Sequence, residues 1–193
     1  KEYGHPNWKI FRNIWLDEEN PYETDILVIG NMGWLIFEVK NYEGTFRYEK
    51  GTCYYDNYPM SHDIVAQAKK IYLKNYFLNQ KYNLAEKVQG ALVFIGEHNV
   101  VDTIDVPDLI EIVGRDELKT YIQKAAIREE RSFSQFPIAE SVLKLQDLKI
   151  ACPYALPIVE DKNYKQLQKG FYCPNCVNFN LKRTKKTFIC SCG

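Results

Sequence analysis

No stretch of this chain approaches the roughly 20 consecutive apolar residues needed to cross a bilayer, and its first residues are too polar for a secretory leader. The expectation is a cytoplasmic protein with no membrane segment. Net charge is also missing: 25 Lys and Arg balance 25 Asp and Glu, so no global field draws nucleic acid to the chain. Histidine is scarce, at three residues, and His62 reads as a surface residue at a helix start rather than a catalyst. No internal repeat or low-complexity tract appears.

What is present is globular in character, with 46% hydrophobic and 26% charged residues. A length of 193 residues holds one ordinary domain and a small module. Two apolar runs, Ile26 to Ile29 and Trp34 to Phe37, flank Gly30-Asn31-Met32-Gly33, which predicts a β-hairpin. With Ile29 opposite Trp34, the register sets Asp25 against Glu38 and puts Lys40 on the side of Glu38. Leu27, Ile29, Trp34 and Ile36 then share the face of Asp25 and Glu38, and Ile26, Val28, Leu35, Phe37 and Val39 take the other. Both faces are apolar, as in a central sheet covered on each side.

Opposed carboxylates roughly 5 Å apart at Cβ repel, and a divalent cation removes the conflict. Mg²⁺ takes oxygen ligands and keeps several waters, so two carboxylates leave room for a phosphate and an attacking water. A neighbouring lysine can orient that water or stabilise charge on the phosphate. The spacing alone fits equally well a pair of strand-end charges with Glu38 and Lys40 paired through solvent.

Around the hairpin, Trp8 to Leu16 reads as a first strand and Asp17 to Glu23 as a solvated turn. Phe46 to Lys50 and Thr52 to Tyr55 suggest a second hairpin at the sheet edge. Its Tyr48, Tyr54 and Tyr55, with Tyr58, either pack on neighbours or stack on bases. Ser61 to Gln80 is helical, with Ser61 or Asp63 as cap, and Gln67 falls on its apolar face between Ile64 and Ile71. A buried amide there bonds a nearby backbone group or reaches into a site. Gln89 to Ile95 and Ile110 to Val113 read as buried strands. A helix follows Gly114, another begins near Pro137, and the charged run Arg128 to Arg131 reads as a solvated helix face. Strands alternating with helices give an α/β fold with a mixed sheet.

Asp25 with its apolar strand, the run Phe37-Glu38-Val39-Lys40-Asn41, Gly44 and Gln67 together resemble the nuclease-related domain, a branch of the PD-(D/E)XK nucleases. The resemblance spans roughly residues 8 to 95. It implies a restriction-endonuclease-like mixed β-sheet flanked by helices and hydrolysis of DNA phosphodiester bonds. Asp25 and Glu38, with the Val39 carbonyl, are expected to hold Mg²⁺ or Mn²⁺, while Lys40 serves the water and Gln67 assists. The family also carries an acidic residue on a helix ahead of the first strand, for which the opening Lys1-Glu2-Tyr3-Gly4-His5-Pro6 leaves no room. The alternative is a catalytically inactive module on a nuclease-like fold, binding nucleic acid or protein.

Residues 1–149 form the expected nuclease-related domain, residues 150–170 a linker rich in proline and mixed charge, and residues 171–193 a small module. In that module Cys173-Pro-Asn-Cys176 and Cys190-Ser-Cys192 supply four soft ligands from two tight turns, the pattern of a structural Zn²⁺ site. It resembles a zinc ribbon whose second knuckle is Cys-x-Cys where Cys-x-x-Cys is commoner. Two disulfides are the competing arrangement, which Cys53 and Cys152, read as single thiols, argue against. Lys182, Arg183, Lys185 and Lys186 lie between the knuckles with no acid from Phe171 to Gly193. They either follow a phosphate backbone or form a solvated hairpin tip, and the ribbon could instead contact a protein partner.

Overall fold

The computed structural model describes residues 3–17, 20–105, 107–133, 136–153, 182–183 and 188–189. The chain divides into two units, Lys1–Pro153 and Tyr154–Gly193. In the first, strands β1 (Lys9–Leu16), β2 (Tyr22–Gly30) and β3 (Gly33–Lys40) run antiparallel. After β3 come β4 (Gly44–Glu49), β5 (Thr52–Tyr55), β6 (Tyr58–Pro59) and helix α1 (Ile64–Tyr82). Then β7 (Val88–Phe94) returns parallel to β3. Next are β8 (Asn99–Thr103), β9 (Ile110–Val113), α2 (Arg115–Arg131), α3 (Ile138–Leu148) and β10 (Lys149–Ile150). The main sheet has the order β10-β1-β2-β3-β7-β9 and is mixed. This is an α/β fold with helices on the sheet.

Both faces of the β2–β3 hairpin are covered, as its doubly apolar sequence requires. On one side Leu27, Ile29, Trp34 and Ile36 join Ile64, Val65, Ala68 and Leu78 of α1 and Leu145 of α3 in a buried core. On the other, Val28, Leu35 and Phe37 pack with Ala91, Val93 and Ala125 of α2. Each fully buried aliphatic or aromatic side chain contributes about 1.5–3 kcal/mol. Helix α1 starts where the Asp63 carboxylate accepts the Ala66 N–H at 2.8 Å. It stops at Asn83, left-handed at φ 53°, a conformation asparagine tolerates.

The second hairpin does form, but it is not on the edge of the main sheet. β4 and β5 belong to a separate four-stranded sheet of order β6-β5-β4-β8, in which β4 and β8 are parallel. β8 lacks a buried face, with intermediate and exposed residues only, so it leaves no apolar period to read. The charged run at the end of α2 is a second correction. Glu129 is 2% exposed, and its two oxygens accept the N–H groups of Asn31 and Met32 at 2.9 Å each. The hairpin turn is thereby held from 97 and 98 residues away. Gly30 lets the carboxylate approach, since a Cβ there would sit 2.3 Å from Glu129 Oε2.

In the second unit, β11 (Lys182–Arg183) and β12 (Phe188–Ile189) pair antiparallel. Cys173, Cys176, Cys190, Cys192, Lys185 and Lys186 lie outside the described residues. Among the described residues no helix is long and apolar enough to cross a membrane.

Candidate active site

The register of β2 on β3 is as the sequence predicts, with Ile29 facing Trp34, but the ladder ends at Ile26 and Phe37. Asp25 and Glu38 are not strand partners. Alternation along β2 slips at this level: Leu27 and Ile29 belong to the α1-side core and so does Tyr22, while Thr24 bonds Asn75 of α1. Two consecutive residues, Asp25 and Ile26, separate these inward positions. β1 slips opposite, because Phe11 and Ile14 both pack on the α1 side and Asn13 between them is left-handed at φ 47°. The strands agree on one break.

At that break the half-buried Asp25 turns its carboxylate onto the neighbouring backbone. Its Oδ2 accepts the Val39 N–H at 2.8 Å, the bond that Thr24 O would take if the ladder continued. Peptide groups alternate sides along a strand. Lys40 O accepts from Ile95 N of the loop after β7, so the Val39 carbonyl faces the side where β2 has peeled away.

Glu38, 5% exposed, lies on the α1 side with Lys40. Its Oε1 accepts from Lys40 Nζ at 2.8 Å and from Gln67 Nε2 at 2.8 Å. Lys40 Nζ also donates to Gln67 Oε1 at 3.2 Å, closing a three-membered ring. Burial pushes the Glu38 carboxyl above its ordinary value; the Lys40 hydrogen bond opposes this, and the charge of Asp25 adds to it. Glu23 raises it further. Gln67 is an exposed residue, so its amide lies at the open flank of α1 rather than within the apolar face predicted for it.

Oxygen donors dominate the break. No hydrogen bond joins Asp25 Oδ1 or Glu38 Oε2 to another of the described residues, and Asp25 is near enough for its charge to act on the Glu38 carboxyl. This donor set suits a hard divalent cation. Among the described residues no three His, Cys, Asp or Glu side chains come together as a metal-holding group, so two carboxylates and a main-chain oxygen are what those residues offer.

Residues 1–95 match the nuclease-related domain. Asp25, Glu38, Val39, Lys40 and Gln67 all fall inside that match, which covers just under half of the chain and ends one residue past β7. Neither curated proteins nor solved structures gave a match. Beyond the matched residues lie β8, β9, α2, α3, β10 and the second unit.

The surroundings hold the site without adding ligands. Glu43 accepts the Glu97 and His98 N–H groups at 3.4 and 3.1 Å, fixing the segment after Lys40 to the loop between β7 and β8. Of the tyrosines, Tyr48 is buried, Tyr54 lies under Arg47, and Tyr55 meets the ring of Tyr42. Tyr58 is 77% exposed. Cys53 is a buried single thiol near Asp63, pushed up to about 11 chiefly by burial. Sequence reasoning missed Thr24, Asn75 and Glu129. For Asn75 and Glu129 the one signal available was a polar residue at a position a helical wheel marks as buried; Thr24, on a strand, carried none.

Proposed function

We propose that the first unit is a metal-dependent nuclease-like domain that hydrolyses DNA phosphodiester bonds. The observation that supports this reading is the hydrogen-bonded ring of Glu38, Lys40 and Gln67, with Asp25 bonded to the backbone of Val39 between the first two. Asp25 Oδ1, Glu38 Oε2 and the Val39 carbonyl would hold Mg²⁺ or Mn²⁺. The cation would polarise a phosphoryl oxygen and lower the pKa of a bound water. Lys40, with three N–H donors, has one on Glu38 and one on Gln67, leaving one to position the attacking water or meet charge on the phosphate. Gln67 holds both Glu38 and Lys40, which fixes the direction of that third donor.

The tail has its own role in this reading. Cys173, Cys176, Cys190 and Cys192 would hold a structural Zn²⁺ with no open position for water. Lys182, Arg183, Lys185 and Lys186 would then face a phosphate backbone, or the ribbon a protein partner.

The test is DNA strand cleavage by the full chain with Mg²⁺ or Mn²⁺, beside Asp25→Ala and Lys40→Ala. Each variant is expected to lose on the order of 10²-fold or more, the range for one general base or one charge-stabilising donor. Equal behaviour of parent and variants, with DNA binding retained, would make the domain a binding module that lacks catalysis.

A further inference from the structure

The break that aims Asp25 has a cause on the opposite side of the core. Asn75 of α1 is wholly buried, and its Nδ2 donates to Ile71 O and to Thr24 Oγ1, both at 2.9 Å. Its Oδ1 is buried with no partner among the described residues. An apolar residue of similar size would avoid that orphaned oxygen, so stability alone gives no reason for the amide. Thr24 is likewise wholly buried and comes immediately before Asp25.

Along an undisturbed β2, Leu27 and Ile29 on the α1 side would place Asp25 there and Thr24 on the α2 side. The Asn75 bond holds Thr24 on the α1 side instead. With Thr24 and Leu27 both drawn inward, the two residues between them cannot both follow the pleat. Asp25 rotates toward β3, where its carboxylate meets the Val39 N–H.

We propose that Asn75 is a positioning residue: by bonding Thr24 it sets the orientation of the Asp25 carboxylate relative to Glu38. Its bearing on chemistry rests on the cation-binding reading above. The orientation itself does not.

Asn79 provides the control. It lies one turn along the same helix, is 1% exposed, donates Nδ2 to Ala85 O at 2.9 Å, and also leaves its Oδ1 unpartnered. It resembles Asn75 in burial and bonding, but among the described residues it makes no hydrogen bond to β2. The measurement is amide hydrogen exchange by NMR on the full chain, comparing Val39 with the neighbouring amides of Ile36 and Phe37. In Asn75→Leu and in Thr24→Val, Val39 should exchange roughly tenfold or more faster relative to those neighbours, as loss of a charge-assisted bond implies. Thr24→Ser keeps the hydroxyl and should match the parent, and Asn79→Ala should leave the Val39 ratio unchanged. The inference is overturned if Val39 keeps its relative protection in the folded Thr24→Val protein, or if Asn79→Ala removes it equally.

Calorimetric titration with Mn²⁺ supplies the second readout. Asn75→Leu and Thr24→Val should weaken binding by roughly tenfold while Thr24→Ser does not, the scale of outer-shell effects on metal sites. A parent chain that takes up no Mn²⁺ overturns the cation reading, and the Val39 exchange result still decides the role of Asn75.

Discussion

Removing the carboxylate that Glu129 presents to the hairpin turn should destabilise the first unit by an amount the geometry allows one to estimate. In Glu129→Ala two N–H groups lose their acceptor at 2.9 Å each. Asn31 is half-buried, so water can replace its partner at a cost of about 1 kcal/mol. Met32 is buried and its N–H stays dry, which costs about 2 kcal/mol more. The sum, about 3 kcal/mol, corresponds to a fall in Tm of roughly 6–12 °C for a chain of this size. Glu129→Gln keeps one acceptor oxygen but sets an amide N–H against a backbone N–H, so about half of the loss should remain. Trp8, Trp15 and Trp34 are the only tryptophans and all belong to the first unit, so fluorescence during thermal or urea unfolding follows that unit alone. Gly30→Ala attacks the same contact from the other side, because its Cβ would sit 2.3 Å from Glu129 Oε2. The double variant Gly30→Ala with Glu129→Ala should therefore cost less than the two singles added. A fall of less than about 2 °C for Glu129→Ala, or strict additivity in the cycle, would refute this account of the turn.

Three further outcomes are expected. The Glu38 carboxyl, raised by burial above its ordinary 4.5, holds its proton in the folded state where the unfolded chain has released it, so its contribution to stability declines as pH rises from 4.5 to the raised value. Glu38→Gln should accordingly gain stability relative to the parent across that window and hold the gain above it, and urea titrations over a pH series check the sign. Zinc content measured after exhaustive dialysis should be near one per chain and fall to background in Cys173→Ser or Cys190→Ser. Gly96→Ala should destabilise the segment behind Lys40, because its Cβ would meet Tyr42 O at 1.9 Å, and a fall in Tm relative to the parent chain on thermal unfolding checks this.

Much of this architecture could be read from local pattern. Doubly apolar runs on either side of a glycine-bounded turn specified the hairpin, its register at Ile29 and Trp34, and the burial of both faces. Glu38 and Lys40 sit on one side because the alternation of β3 is undisturbed. Asp25 could not be placed by the same rule, since a period of two presumes a continuous pleat. Here the pleat is interrupted by a left-handed Asn13 and by a threonine bonded to a helix 51 residues away. Only the burial expected of Gln67 differed, and for a milder reason: the wheel put it beside Ile64 and Ile71, but Ile71 is itself only partly buried, so that edge of α1 is wet. Glu129 sat among like and unlike charges that a sequence reader assigns to solvent. Nothing near it in the chain announces that its partners are the backbone of Asn31 and Met32.

The distance along the chain between that carboxylate and the turn it holds also orders events during synthesis. At about 5–20 residues per second, the Asn31–Met32 reversal emerges roughly 5–20 s before Glu129 can reach it, whereas a hairpin closes in about 1–10 μs. Whenever the hairpin closes, the Asn31 and Met32 N–H groups at its tip stay hydrated until α2 has been made and Glu129 can displace that water.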